Sequence, residues 1–130
     1  MEEVYQFLKK CGTYYLGTTD GDQPRVRPFG TVALYEGKLY LQTGRKKEVF
    51  RQMKENPKIE ICAFDGERWL RVSATAVEDD RTDAQAYLLE QYPNLKAMYQ
   101  PGDGNTAVFY LTGAEAVFSS FTAPPKTVRF

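Results

Sequence analysis

The chain has 130 residues, enough for a single domain (1–130) with a modest core and too few for two. Seventeen Lys and Arg balance 17 Asp and Glu, so net charge gives no argument for nucleic acid or a membrane surface as partner, and any basic site must be local. There is no histidine and there are only two cysteines, which excludes Ser-His-Asp and Cys-His catalysis as usually built, the common zinc sites and a disulfide framework.

The spacing predicts a first helix over 3–11, where Val4, Phe7, Leu8 and Cys11 make one apolar stripe and Gly12 follows as the stop. A Tyr/Thr/Leu-rich strand over 13–19 turns at Asp20-Gly21-Asp22 into a second strand over about 25–35. Glu36-Gly37-Lys38 then turns into a third strand over 39–43, so the first three strands read as a meander. A helix is predicted over 45–55, with Val49, Phe50 and Met53 inward and Asn56-Pro57 as its end. A strand over 59–64 and a longer one over 68–77 flank the hairpin turn Asp65-Gly66-Glu67. On the longer strand Leu70, Val72, Ala74 and Ala76 share one face, and Trp69, Arg71, Ser73 and Thr75 share a second, mixed face suited to a site or an interface. Thr82 and Gln85 have capping-box spacing for a third helix that ends at Tyr92-Pro93, with a short extra turn over 93–98. A last strand or hairpin over 107–121, bent at Gly113, precedes an extended tail over 122–130. Sequential antiparallel strands with few, dispersed helices point to a mainly β (α+β) fold: a closed or partly closed barrel with the helices outside.

Cys11 and Cys62 sit among apolar neighbours and read as free, buried thiols. No apolar run approaches the roughly 20 residues of a membrane helix, and the acidic start Met1-Glu2-Glu3 lacks the basic region of a signal peptide, so a cytoplasmic location is expected. Hard chemistry then falls to a bound cofactor.

Two basic clusters stand out: Pro24-Arg25-Val26-Arg27-Pro28-Phe29-Gly30 and Gln42-Thr43-Gly44-Arg45-Lys46-Lys47. The second joins a strand end to a helix start, where cations meet an unfavourable dipole and unpaired backbone N–H groups. A bound phosphate relieves both conflicts, and the Thr43 hydroxyl adds a further donor. Arg25 and Arg27, two apart on a strand, point the same way and are placed to converge on that phosphate. The bland alternative is a pair of solvated basic surfaces. A proline within a strand belongs at an edge or bulge, and Gly30 lets a planar ligand approach the backbone; an ordinary barrel bend with Phe29 in the core is the competing reading. Trp69 and Arg71 are placed to bracket an aromatic ligand, or to pack at an interface.

On these stretches, above all 23–30 and 39–64, the chain resembles the FMN-binding split-barrel proteins of the pyridoxamine 5'-phosphate oxidase type. Within them it is most similar to the short bacterial members grouped with nitroimidazole-resistance proteins. The resemblance implies a six-stranded antiparallel split barrel and a homodimer with two FMN sites at its interface. By position, Arg25 or Arg27 with Lys46 and Lys47 hold the phosphate. Gln42 and Thr43 belong to the same cofactor segment, Thr43 near phosphate or ribitol. Val26, Pro28 and Phe29 border the isoalloxazine, and Trp69, Arg71 and the 121–130 tail come from the other subunit. Nitroimidazole-resistance proteins are associated with a histidine near the active site; this chain has none, so direct nitroreduction by that route is not implied. The longer C-terminal part of true pyridoxamine-phosphate oxidases is also missing, so that reaction is not assigned.

Three functions compete. One is a flavin-dependent oxidoreductase that passes electrons from reduced nicotinamide to an unknown acceptor, with no acid–base residue required. Another is a non-catalytic FMN store, carrier or redox sensor. The third is a barrel for another ligand such as haem, a deazaflavin or single-stranded nucleic acid; zero net charge argues against the last, and haem would lack a histidine ligand.

Overall fold

Alternation of apolar and polar residues makes the strands Lys58–Phe64 and Trp69–Asp79 one-sided, whereas Lys38–Gly44 is buried on both faces beyond its first residue. Eight strands in all form the sheet of the computed structural model, which describes residues 1–130. The strands are β1 (Tyr14–Asp20), β2 (Gln23–Phe29), β3 (Ala33–Tyr35), β4 (Lys38–Gly44), β5 (Lys58–Phe64), β6 (Trp69–Asp79), β7 (Thr106–Ser119) and β8 (Lys126–Arg129). They run in the order β2-β1-β5-β6-β7-β4-β3, with β8 beside β7. Every pairing is antiparallel. The three α-helices are α1 (Glu2–Cys11), α2 (Glu48–Glu55) and α3 (Thr82–Gln91), with a short 3-10 helix over Pro93–Ala97.

The split-barrel expectation holds, with eight strands in place of six. The long strand expected over 25–35 breaks at Gly30-Thr31-Val32 into β2 and β3, which stand at opposite ends of the sheet order. The meander is therefore two hairpins, β1–β2 and β3–β4, joined by a crossover. The tail is the other added strand. β8 pairs with residues 115–118 of β7, and Phe130 and Ala114 exchange backbone bonds of 2.7 and 3.0 Å. That covers an edge that β4 leaves free.

Pro24 and Pro28 lie on β2, which pairs only with β1; an edge strand tolerates the missing donors. β7 does bend at Gly113, whose φ is 59°, opposite an irregularity in β6 between Ser73 and Thr75.

The main core gathers Leu70, Val72, Ala74 and Ala76 of β6 with α1 and α2. Val4, Phe7 and Leu8 are its contribution from α1, and the Phe7 ring meets Phe118 edge-on at 5.5 Å. Burying side chains of this kind contributes about 1.5–3 kcal/mol each. A smaller cluster sits between Tyr40 of β4 and Ala84 and Leu88 of α3. No helix is long and apolar enough to cross a membrane.

Two local readings are corrected. Cys62 is exposed because it lies on the outward face of β5, and Cys11 is half-buried because it is the last residue of α1, where the stripe meets the core only in part. Thr82 makes no capping bond; Arg81 occupies the cap position, and Gln85 Oε1 instead accepts the Gly102 N–H at 2.8 Å.

Candidate functional site

The crossover between the hairpins brings the end of β2 beside the end of β4. The Tyr14 hydroxyl donates to the Thr31 carbonyl at 2.6 Å. The Thr31 hydroxyl accepts from Gln42 N–H at 3.0 Å and donates to Gln42 O at 3.3 Å. A cavity of about 260 Å³ opens against this seam, between the crossover, the end of β4, the start of α2 and the segment after α3. Pro28, Phe29, Gln42, Thr43, Lys47 and Tyr99 are among its walls.

Gln42 and Thr43 are the unusual members. They are 5% and 4% exposed, yet Gln42 Oε1 and Nε2 and Thr43 Oγ1 have no hydrogen-bond partner. Each unpaired buried polar group costs about 1–3 kcal/mol, so an unliganded core would not select them. The Gln42 backbone is pinned to Thr31, so the strand is fixed while the amide above it is left open.

Gly44, the last residue of β4, makes room for a neighbouring ring. A Cβ there would lie 2.9 Å from Tyr99 Oη and 3.1 Å from Tyr99 Cε1, so the glycine lets that ring pack against the strand end and form a wall.

The basic run divides by role. α2 begins at Glu48, not Arg45; Lys47 is the extended cap residue and acidic Glu48 lies in the first turn, where the dipole favours it. Arg45 is unavailable, because its guanidinium pairs with Glu78, which Lys54 also meets at 3.0 Å. Lys46 and Lys47 enter no ion pair, and Lys47 lines the cavity.

The arginines of β2 lie outside the cavity. Arg25 pairs with Asp20 at 3.4 Å, and Asp20 also meets Arg51 at 3.2 Å. Arg27, half-buried, donates to Leu16 O at 3.1 Å, Thr18 Oγ1 at 2.7 Å and Gln52 Oε1 at 2.6 Å. All three acceptors are neutral. Burial, and then the repulsion of Arg25, hold the Arg27 pKa below its usual value.

Of the remaining candidates, Val26 is 70% exposed on the outer face of β2. Trp69 lies across the sheet, its ring 5.1 Å from Phe121. That outer face also carries Tyr15 and Phe64, 51% and 59% exposed. Pro28, Phe29, Gln42, Thr43 and Lys47 thus meet in the cavity, and Arg25, Val26, Arg27, Lys46 and Trp69 do not line it. Sequence reasoning missed Thr31, Leu95, Met98 and Tyr99. Nothing in their local spacing marks them; the short extra turn expected over 93–98 was the available hint.

The chain belongs to the pyridoxamine 5'-phosphate oxidase family, whose pattern it matches over residues 1–120. Within that fold it is similar to a NimC/NimA family protein from Clostridium acetobutylicum, at 44% identity and a TM-score of 0.96, covering 100% of this chain and 92% of that one. General Stress Protein 26 from Bacillus anthracis str. Sterne shares the fold at 16% identity and a TM-score of 0.78, over 99% of this chain and 97% of that one. An F420 reductase shares it at 19% identity and a TM-score of 0.60, over 84% and 93%. Comparison with curated proteins gave no match.

Proposed function

We propose that the protein is an FMN-binding flavoprotein acting as a flavin-dependent oxidoreductase, which takes electrons from a reduced nicotinamide and passes them to a second acceptor. The observation that carries this reading is the pair of buried, partnerless side chains, Gln42 and Thr43, in a cavity whose mouth holds Lys47. The residues fit the cofactor. Lys47, with Lys46 beside it, is free to meet a phosphate, and the Thr43 hydroxyl is free to donate to phosphate or ribitol. Pro28, Phe29 and Tyr99 offer apolar walls to a flat ring. Arg27, cationic and without a carboxylate, adds positive potential from the neighbouring strand, whereas Asp20 engages Arg25. Bound FMN supplies the hydride and electron chemistry. The chain's own part is to bind, orient and hold positive charge close by.

A homodimer is part of the same proposal. Tyr15, Val26, Phe64 and Phe121 are large apolar side chains exposed on the β2-β1-β5-β6 face and beside it, next to the half-buried Trp69. A face of that kind is suited to a second copy, which brings Trp69, Arg71 and the tail toward the partner's cavity. Sedimentation of Val26→Arg/Phe64→Arg against the wild type tests it; wild-type protein that sediments as a monomer refutes the dimer.

A second reading, FMN storage or redox sensing without turnover, is favoured by one observation: Lys47 and Tyr99 are the only titratable side chains lining the cavity. Purified protein should show flavin absorption bands and release FMN on denaturation. Under anaerobic conditions reduced nicotinamide should bleach bound FMN faster than free FMN. Binding without accelerated bleaching selects the storage reading, and absence of binding sinks both.

A further inference from the structure

We infer that the Gln42 side-chain amide recognises the imide edge of the flavin, accepting from its N3–H and donating to a flanking carbonyl; this rests on the flavin reading above. A primary amide is self-complementary to an imide, since it presents one acceptor and one donor side by side in a plane. Gln42 has both ends vacant, Oε1 and Nε2 alike, at 5% exposure. A phosphate dianion has no proton to offer Oε1, and the cations for a phosphate are Lys46 and Lys47 at the start of α2. The main chain of Gln42 is clamped by Thr31 on both its N–H and its C=O, so the amide is presented from a rigid stem. None of the other polar side chains lining the cavity, Thr31, Thr43, Lys47 and Tyr99, bonds to the amide. Gln42 is therefore a specificity residue for the pyrimidine end of the ring, distinct from the phosphate end.

The test compares FMN with N3-methyl-FMN, in which the imide proton is replaced. Dissociation constants come from quenching of flavin fluorescence by the wild type and by Gln42→Leu and Gln42→Glu. The wild type should bind N3-methyl-FMN about 10- to 100-fold more weakly than FMN, the range for stranding one buried acceptor. Gln42→Leu should bind FMN about tenfold more weakly and no longer distinguish the two flavins. Gln42→Glu, an acceptor only when ionised, should not rescue it. Unliganded Gln42→Leu should melt roughly 3–6 °C above the unliganded wild type, because two orphaned polar atoms are gone. Equal binding of both flavins by the wild type, discrimination that survives in Gln42→Leu, or a lowered melting temperature each overturns the inference while leaving FMN binding intact. Failure of the wild type to bind either flavin overturns the flavin reading itself, and this inference with it.

Discussion

Tyr40 and Gln42 project from the same face of β4, two residues apart, and have opposite surroundings. The Tyr40 hydroxyl, on a residue 1% exposed, donates to Asp79 Oδ2 at 2.7 Å. Asp79 accepts in turn from Arg81 at 2.8 Å, and Arg81 reaches Glu36 at 2.8 Å. Every charge there is matched within the chain. At Gln42 and Thr43 nothing is matched, although burial is similar. One polar cluster is finished by folding alone; the other is left without partners. On the flavin reading proposed above, the difference separates residues kept for stability from residues kept for binding.

The contrast can be broken at several points. The largest effect should come from Lys46→Ala with Lys47→Ala. Losing two charge-assisted contacts should weaken FMN by at least about 100-fold and leave riboflavin, which has no phosphate, nearly unchanged. Titrating both flavins checks it, and equal loss for both would place the phosphate elsewhere.

Next is Asp79→Asn. The Arg81 hydrogen bond, followed by that of Tyr40, holds the Asp79 carboxyl down at about 2 against burial. A depressed carboxylate stabilises the fold above the unfolded value of about 3.9, and that contribution is lost as pH falls from about 4 toward 2. The variant should lose about 2 kcal/mol at neutral pH by urea denaturation and show a flatter acid limb than the wild type. A wild-type stability indifferent to pH between 4 and 2 would show the Asp79 cluster to be as inert as a solvated surface pair.

Gly44→Ala should be milder, about 1–2 kcal/mol by the same measurement, because the Tyr99 ring must yield. As that ring is a cavity wall, FMN affinity should fall with it. Smallest, and opposite in sign, is Gln42→Leu, which should gain about 1 kcal/mol in unliganded protein. If Gln42→Leu instead loses as much as Asp79→Asn, the two clusters do not differ in kind.

Much of the fold was legible where the signal is local. The Val4-Phe7-Leu8 stripe, the Gly-centred hairpin turns, the two faces of β6 and the bend at Gly113 are all read from periodicity or backbone freedom. The break between β2 and β3 was not, since Gly30-Thr31-Val32 carries no turn signature and its cause is the sheet order, a long-range matter. The site divides the same way. Thr-Gly followed by cations located the cavity, yet spacing could not tell which cations are free. Arg45 is claimed by Glu78 and Arg27 by Gln52, 33 and 25 residues away. Tyr99 reaches the site only through the approach that Gly44 permits.

Thr31 gives the molecule a latch. Its carbonyl is tied to Tyr14 and its hydroxyl straddles the Gln42 main chain, so the seam and the ligand's wall hang on one residue. Occupancy therefore reaches the fastening between the two hairpins directly. Slowed amide exchange at Gln42 and its β4 neighbours on loading would be the visible mark of a barrel locked by its own cargo.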